Sequence, residues 1–133
     1  ADHFRLIDGD SIEAMSAADV VLLASGTAAL ESALLCRPTV AAYRLSPLTA
    51  ILVRMIGLKT RYFTIPNLLT EEPLIPELIQ EDMTPAALAQ AVWDLLGNPE
   101  RCAEISRQFA TLREDLALGA DDRAAEAIIN LAT

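Results

Sequence analysis

One short turn in this 133-residue chain has the residue types that bind a phosphate group. Ser25-Gly26-Thr27 follows a continuous apolar run and precedes a segment with helical spacing, so we expect the turn at the start of a helix. The first N–H groups of a helix lack partners within the helix and attract anions. Gly26 lets a ligand approach the backbone, and the two hydroxyl groups add donors. Taken alone, the turn also fits a simple helix cap at Ser25.

Glu31 lies four residues after Thr27, which places both side chains on one face of the expected helix. A carboxylate accepts hydrogen bonds from the vicinal hydroxyl groups of a ribose, as it does in dinucleotide sites. A nucleoside diphosphate would therefore fit with its phosphates at the turn and its ribose near Glu31. The same spacing is also compatible with a solvated surface glutamate.

Two further positions are candidates for ligand binding. Arg44 follows the expected strand 39–43 and can pair with a phosphate, although a weak surface ion pair explains it equally well. Asn67 stands in the segment Ile65-Pro66-Asn67-Leu68-Leu69. An asparagine after a proline is either a turn former or a polar group directed at a ligand.

The charge of the chain is acidic overall, with 10 basic and 19 acidic residues and a net charge of −9. Such a field repels polyanions, which argues against a nucleic-acid-binding protein. The stretch from Ser32 to Thr70 contains no acidic residue and carries the basic residues Arg37, Arg44, Arg54, Lys59 and Arg61. This basic segment indicates contact with a small anion or an anionic membrane, unless the clustering is accidental. Two cysteines and one histidine support neither a disulfide framework nor a histidine-centred metal or catalytic site.

Strands and helices alternate about every 20 residues, which is typical of βαβ units around a doubly wound parallel sheet. We predict strands at 4–7, 20–24, 39–43 and 62–65. We predict helices at 11–18, 28–36, 47–57, 85–96, 100–118 and 121–132. Trp93 is expected to be mostly buried, because it shares a helix face with Ala89 and Leu96.

The helix predicted at 47–57 is unusually apolar and is followed by basic residues. Its length of about 11 residues is too short to span a bilayer, which needs roughly 20. A short apolar helix with basic neighbours can lie in a membrane interface, with part of its apolar face exposed. The alternative is a helix that covers the sheet and buries that face.

Four segments resemble, in the same order, segments of the lipid-A-disaccharide synthases. Residues 18–31 (ADVVLLASGTAALE) look like the donor-site signature of that family, and residues 40–44 (VAAYR) and 65–69 (IPNLL) follow it. Residues 120–127 (ADDRAAEA) resemble the tail of the family. The resemblance implies a GT-B glycosyltransferase built from two Rossmann-like halves. This chain would provide part of the C-terminal half, an α/β portion with a Rossmann-like parallel sheet, flanking helices and a helical C-terminal tail.

The resemblance also implies a domain division and roles for the candidate residues. Residues 1–97 would bind the UDP-sugar donor, and the helices of 98–133 would pack on that portion or on the N-terminal half. The diphosphate would be held by Ser25, Gly26 and Thr27, the ribose by Glu31, and the donor site would be lined by Asn67. Arg44 and the helix start would offset the charge of the leaving group. No metal and no cofactor are expected, and the general base is expected in the N-terminal half, so that 133 residues alone would be inactive.

The implied reaction joins UDP-2,3-diacylglucosamine to 2,3-diacylglucosamine 1-phosphate, with inversion and release of UDP, in the biosynthesis of lipid A. The implied location is the cytoplasmic face of the inner membrane, reached through residues 47–61, and a homodimer is possible. Two other functions stay open: another UDP-sugar enzyme, such as a UDP-N-acetylglucosamine 2-epimerase, and a non-catalytic flavodoxin-like interaction domain. The apolar helix 47–57 favours a lipid substrate over the first, and UDP affinity would distinguish the second.

Overall fold

The computed structural model describes residues 3–24, 26–56 and 62–132, and these ranges form an α/β fold. In chain order the elements are α1 (Ser11–Ala17), β1 (Val21–Leu23), α2 (Gly26–Leu34), β2 (Thr39–Tyr43), α3 (Pro47–Ile56), α4 (Ile65–Leu69), β3 (Glu77–Ile79), a 3-10 turn (Gln80–Asp82), α5 (Pro85–Leu96) and α6 (Pro99–Ala132).

The strands of these ranges form one parallel sheet in the order β1-β2-β3, which confirms the predicted Rossmann-like fold class. Val21 pairs with Thr39, and Ala41 pairs with Glu77. The central strand β2 is buried from Thr39 to Ala42, because it has a neighbour on each side and helices cover the sheet. This burial explains why the strand is a continuous apolar run with no polar alternation. The carboxyl ends of the parallel strands meet at one edge of the sheet.

The hydrophobic core lies between the sheet and the helices α2, α5 and α6. Its fully buried side chains include Val40, Leu74, Ile75, Ile105 and Phe109. Each side chain of this size stabilises the fold by about 1.5–3 kcal/mol relative to an exposed position. α6 contacts both α2 and α5, so the core fixes α2 against the sheet. The start of α2 is thereby held beside the carboxyl edge.

The C-terminal end of α2 is closed by a Schellman motif. Cys36 adopts a left-handed conformation with φ 58°. Its N–H donates to the Ala33 carbonyl at 2.8 Å, and the N–H of Arg37 donates to the Ser32 carbonyl at 3.0 Å. The buried hydroxyl groups of Ser32 and Thr39 lie 2.7 Å apart and connect α2 to β2.

The strand predicted at 4–7 is wrong. These residues form no strand, and Phe4 and Leu6 are 92% and 97% exposed. A strand needs a hydrogen-bonded neighbour, and within the described ranges this segment pairs with none. Its alternating apolar side chains favour a strand locally, but without a pairing partner among the described residues they form none.

The strand predicted at 62–65 is also wrong, because this segment leads into α4. The Thr64 side chain caps that helix by accepting from the N–H of Asn67 at 3.4 Å, and Pro66 stands in its first turn. The N–H groups of Phe63 and Thr64 donate to the Glu77 carboxylate instead of to a neighbouring strand. The third strand is β3, in a region where we predicted no strand.

Two expectations for the C-terminal helices need correction. Trp93 is 72% exposed, because the face of α5 that contacts the core carries Val92 and Leu95, while Trp93 lies on the other side. The two helices predicted at 100–118 and 121–132 are one continuous helix, α6. Gly119 lies within it, since the cost of about 1 kcal/mol for an internal glycine does not end a helix of 34 residues.

Candidate functional site

The candidate site lies at the carboxyl edge of the sheet, where β1 and β2 end side by side. Parallel pairing of Leu23 with Ala41 sets these two ends next to each other. α2 begins at Gly26, shortly after β1, and Arg44 follows β2 directly. Ligands of open α/β sheets bind at this edge. The described residues therefore bring two of the predicted site segments, the start of α2 and Arg44, to neighbouring strand ends.

Gly26 lies in close contact with the end of the Tyr43 side chain. A Cβ atom at Gly26 would lie 3.0 Å from Tyr43 Oη, so a larger residue would displace one of the two. Tyr43 is restrained by the ring of Phe63, with centroids 6.4 Å apart and planes inclined by 39°. The sequence predicts Gly26 as a phosphate contact. The structure adds a second property, because a side chain at this position would crowd the Tyr43 hydroxyl.

Thr27 and Glu31 lie one turn apart on α2, and both are exposed. Their common face is accessible to a ligand that extends from the turn along the helix. Ser25, the remaining residue of the predicted turn, lies outside the described residues. Gly26, Thr27 and Glu31 are therefore brought together on one helix, and their roles in binding stay predictions.

Arg44 is exposed and borders a cavity of about 400 Å³ at the same edge. The cavity is lined by Arg44, Leu45, Pro47, Ala50, Gln80 and Glu81. Gln80 has a left-handed backbone with φ 54°, which is uncommon for a residue other than glycine. Its Oε1 accepts a hydrogen bond from the N–H of Leu45 at 3.0 Å. This contact fastens the loop after β2 to the end of β3 and fixes the backbone that carries Arg44.

Asn67 is buried, and its amide is fully engaged by the protein itself. Its Nδ2 donates to the Ile75 carbonyl at 2.7 Å and to Glu77 Oε1 at 2.9 Å. Its Oδ1 accepts from the N–H groups of Leu74 at 2.8 Å and Ile75 at 2.9 Å. A primary amide offers two donors and two main acceptor positions, so all are used. Asn67 thus fastens α4, which packs against α2, to the segment before β3.

Glu77 is the other centre of this network, and the sequence interpretation did not identify it. Its Oε2 accepts from the N–H of Phe63 at 2.8 Å, and its Oε1 accepts from the N–H and the hydroxyl of Thr64 at 2.8 and 2.6 Å. With Asn67 it joins the start of α4 to the first residue of β3. The sequence did contain one signal for Glu77. An acidic residue directly before the apolar pair Leu78-Ile79 does not fit the pattern of a solvated helix face.

Tyr43 lies at the end of β2, and the sequence analysis did not identify it as a site residue either. Its Oη is shielded from solvent and has no hydrogen-bond partner among the residues that the structure describes. Burial, and secondarily the negative charge of Glu77, raise the pKa of this phenol above its ordinary value. The hydroxyl therefore stays protonated at neutral pH and keeps its hydrogen for donation.

α3 exposes a large part of its apolar face next to the Arg44 cavity, as predicted. Leu48 and Met55 are 81% and 79% exposed, and Ile51 and Leu52 are more than half exposed. Residues 57–61, with Lys59 and Arg61 of the basic segment, lie outside the described residues. Within the described ranges, no helix combines the length and the apolar character that crossing a bilayer demands.

The opposite end of the sheet contains a second cavity of about 360 Å³, lined in part by Asp19, Arg37 and Cys102. The Cys102 thiol donates to the Leu95 carbonyl at 3.1 Å. Burial, and to a lesser extent the charge of Asp19, raise the pKa of Cys102. Across the described residues, no three histidine, cysteine or acidic side chains are grouped so that they could hold a metal ion, and the expected absence of a metal stays a prediction.

Comparison with known proteins gives one consistent result. A family model described as lipid-A-disaccharide synthetase matches residues 2–130. A lipid-A-disaccharide synthase of Xanthomonas campestris is 46% identical over 130 residues, which cover 97% of this chain and 30% of the relative. Those of Cellvibrio japonicus and Chromohalobacter salexigens are 44% and 46% identical, over 96% and 98% of this chain and 33% of each relative. The chain spans about a third of the length of these relatives. Because the match extends over nearly all of its residues, the chain belongs to the lipid-A-disaccharide synthase family.

Proposed function

We propose that this chain is the donor-binding part of a lipid-A-disaccharide synthase and binds UDP-2,3-diacylglucosamine at the carboxyl edge of its sheet. One observation carries the proposal: the start of α2, with Gly26, and the exposed pair Thr27 and Glu31 stand beside the strand end that carries Arg44. Family membership supports the same edge, because the segments that resemble the donor-site signature are those that form it.

The diphosphate is proposed to lie at Ser25, Gly26 and Thr27, where the positive end of the α2 dipole favours an anion. Arg44 adds a full positive charge from the neighbouring strand end. The ribose then lies one turn along the helix, where the Glu31 carboxylate accepts from its vicinal hydroxyl groups. Together these groups stabilise the negative charge that develops on UDP as it leaves.

Asn67 contributes to the donor site in a different way. Its amide has no hydrogen-bonding position left for a ligand, because the backbone of Leu74 and Ile75 and the Glu77 carboxylate occupy all of them. We therefore propose that Asn67 lines the site as part of α4 and fixes that helix beside α2.

The proposed reaction joins the donor to 2,3-diacylglucosamine 1-phosphate, forms the β-1,6 linkage with inversion and releases UDP. We propose a GT-B architecture, in which residues 1–97 bind the donor and the helices of 98–133 extend from it. The base that removes a proton from the acceptor hydroxyl is proposed to lie in the part of the protein outside these 133 residues, so the chain alone is expected to be inactive. No metal and no cofactor are part of the proposal.

The lipid substrates are proposed to reach the site from the cytoplasmic face of the inner membrane, along residues 47–61. The exposed apolar face of α3 supports this proposal, since it adjoins the Arg44 cavity. The double variant Leu48→Ser with Met55→Ser should weaken co-sedimentation with anionic vesicles. Leu118→Ser, which removes an exposed leucine on α6, is the matched control. A homodimer is part of the proposal as well, and analytical ultracentrifugation would test it.

The direct test of the donor site is UDP binding by calorimetry, in the complete protein that contains this chain. Glu31→Gln should weaken UDP more than 2′,3′-dideoxy-UDP, because the lost acceptor matters only where ribose hydroxyl groups are present. Glu13→Gln, at an exposed position in the first turn of α1, is the matched control. Equal weakening of both ligands would exclude the ribose role, and absence of UDP binding would favour a non-catalytic interaction domain.

A further inference from the structure

The hydroxyl of Tyr43 is a buried donor that the described part of the chain leaves unpaired. Its Oη is shielded from solvent and makes no hydrogen bond within the described residues. The carboxylate of Glu77, whose charge acts on this phenol, is already engaged by Phe63, Thr64 and Asn67. Most buried polar groups in proteins are paired, so each unpaired one calls for an explanation.

Packing does not explain why this residue is a tyrosine. The ring packs against Phe63 and belongs to the rim of the hydrophobic core, contacts that a phenylalanine would make equally well. The hydroxyl itself adds a desolvation cost with no compensating hydrogen bond from residues 3–24, 26–56 or 62–132. A ligand-bound state that supplies an acceptor would explain the hydroxyl.

The position of the hydroxyl identifies that state. Tyr43 Oη lies 3.0 Å from the point where a Cβ of Gly26 would stand, at the first residue of α2. Because Gly26 has no side chain, nothing of that residue separates the phenol from an anion that approaches the start of the helix. The raised pKa keeps the phenol protonated, so its hydroxyl can donate a hydrogen bond to an acceptor there.

We propose that Tyr43 is a further donor-site residue, whose hydroxyl donates a hydrogen bond to a phosphate oxygen of the bound UDP moiety at Gly26. This inference rests on the proposed function, and it adds a residue that the binding-site interpretation of the sequence did not include. Because the hydroxyl is shielded in the free protein, the bond forms only when the bound ligand displaces the atoms that cover it. The bond then compensates for the desolvation of the phenol.

The test is Tyr43→Phe in the complete protein that contains this chain, with calorimetric titration of UDP and of uridine and thermal unfolding without ligand. We expect UDP affinity to fall about ten- to a hundredfold, the range of one hydrogen bond to a charged acceptor. Uridine affinity should stay unchanged, because uridine has no phosphate. The unfolding temperature of the free protein should be unchanged or raised, because an unpaired buried group has been removed.

The matched control is Tyr62→Phe, which removes the hydroxyl of the other tyrosine in the chain. A lower unfolding temperature together with equal losses for UDP and uridine would assign Tyr43 a purely structural role and overturn the inference. Unchanged UDP affinity in Tyr43→Phe, with normal binding by the wild type, would overturn it while leaving the proposed function intact. If the wild type does not bind UDP, both the proposed function and this inference fail.

Discussion

Asn67→Asp tests the contribution of the buried amide network with the smallest possible change of shape. The substitution replaces an NH₂ group by an oxygen and leaves the two accepted hydrogen bonds from Leu74 and Ile75 in place. It removes both donated bonds, so the Ile75 carbonyl loses this donor and Glu77 Oε1 faces a second carboxylate where it accepted at 2.9 Å.

The magnitude follows from these two losses. An acceptor left unsatisfied in the interior costs about 1–3 kcal/mol, and an uncompensated buried charge costs about 3–5 kcal/mol. Because the two accepted bonds become charge-assisted and offset part of this, we expect a loss of about 3–5 kcal/mol in the free energy of unfolding at pH 7.5. That is a large share of the total of about 5–15 kcal/mol typical of a domain.

The assay is urea unfolding followed by far-ultraviolet circular dichroism at pH 7.5 and pH 5.5. Burial and the neighbouring Glu77 charge raise the pKa of the introduced carboxyl in the folded state. Its protonated form is therefore favoured by folding, and the deficit relative to wild type grows as the pH rises through that raised pKa and shrinks at pH 5.5. At the lower pH the protonated carboxyl again donates one hydrogen bond.

Asn98→Asp is the matched control, because the same change occurs at the exposed start of α6. There Oδ1 accepts from the N–H of Arg101 at 3.0 Å, and an aspartate accepts equally well beside the positive end of a helix. We expect a change of less than about 0.5 kcal/mol. Equal losses for the two variants, or an Asn67→Asp deficit that does not change with pH, would refute the assignment of Asn67 as the centre of a saturated buried network.

Three further predictions concern single contacts. Thr39→Val should cost about 1–3 kcal/mol in urea unfolding by leaving the buried Ser32 hydroxyl unpaired, and adding Ser32→Ala should recover most of that loss; additive losses would contradict the pairing. Cys36→Gly should raise the free energy of unfolding by up to about 1 kcal/mol, because glycine relieves the left-handed backbone at φ 58°; a lower thermal midpoint would show that the lost side-chain packing dominates. Cys102 should react with iodoacetamide at pH 8 more slowly than free cysteine, because its raised pKa reduces the thiolate fraction, and Asp19→Asn should accelerate it; mass spectrometry of the modified peptide measures both rates.

The parts of the fold that could be predicted are those where one local signal dominates. β2 is a continuous apolar run, which is typical of a strand with neighbours on both sides, and β1 was predicted from the same signal although it lies at the edge of the described sheet. α5 is preceded by the cap Thr84, has Pro85 at its first position and is followed by the cap Gly97. Both of its boundaries can therefore be predicted from the capping residues. The parallel order of the sheet follows from the helices between the strands.

The parts that failed depend on contacts distant in sequence. β3 has three residues and begins with a glutamate, and it is a strand because Glu77 pairs with Ala41 and binds the start of α4. Trp93 shares a helix face with other apolar residues, but the core contacts the opposite face. Hydrophobic periodicity identifies the faces of a helix without showing which one is covered.

For the candidate site, the sequence indicated which residue types are present but not which hydrogen bonds they make. The exposed pair Thr27 and Glu31 agrees with the predicted common face. Asn67 was identified as polar among apolar neighbours, although its four hydrogen bonds to other parts of the chain required the structure. The position of the Tyr43 hydroxyl, unpaired among the described residues, could not be predicted, because it depends on a close approach between β2 and α2.

The Asn67–Glu77 network has a consequence for the order in which the chain folds. The residues paired between β2 and β3 are twice as far apart in sequence as those paired between β1 and β2, so a flexible chain would close the second pairing at an extra entropic cost of about 0.6 kcal/mol. Asn67 and Thr64, by contrast, reach Ile75 and Glu77 across only 8 and 13 residues. This short-range unit can close first and present β3 in an extended form, which lowers the effective contact order of a parallel sheet. The network therefore serves as a local template that prepares the last strand for a long-range pairing.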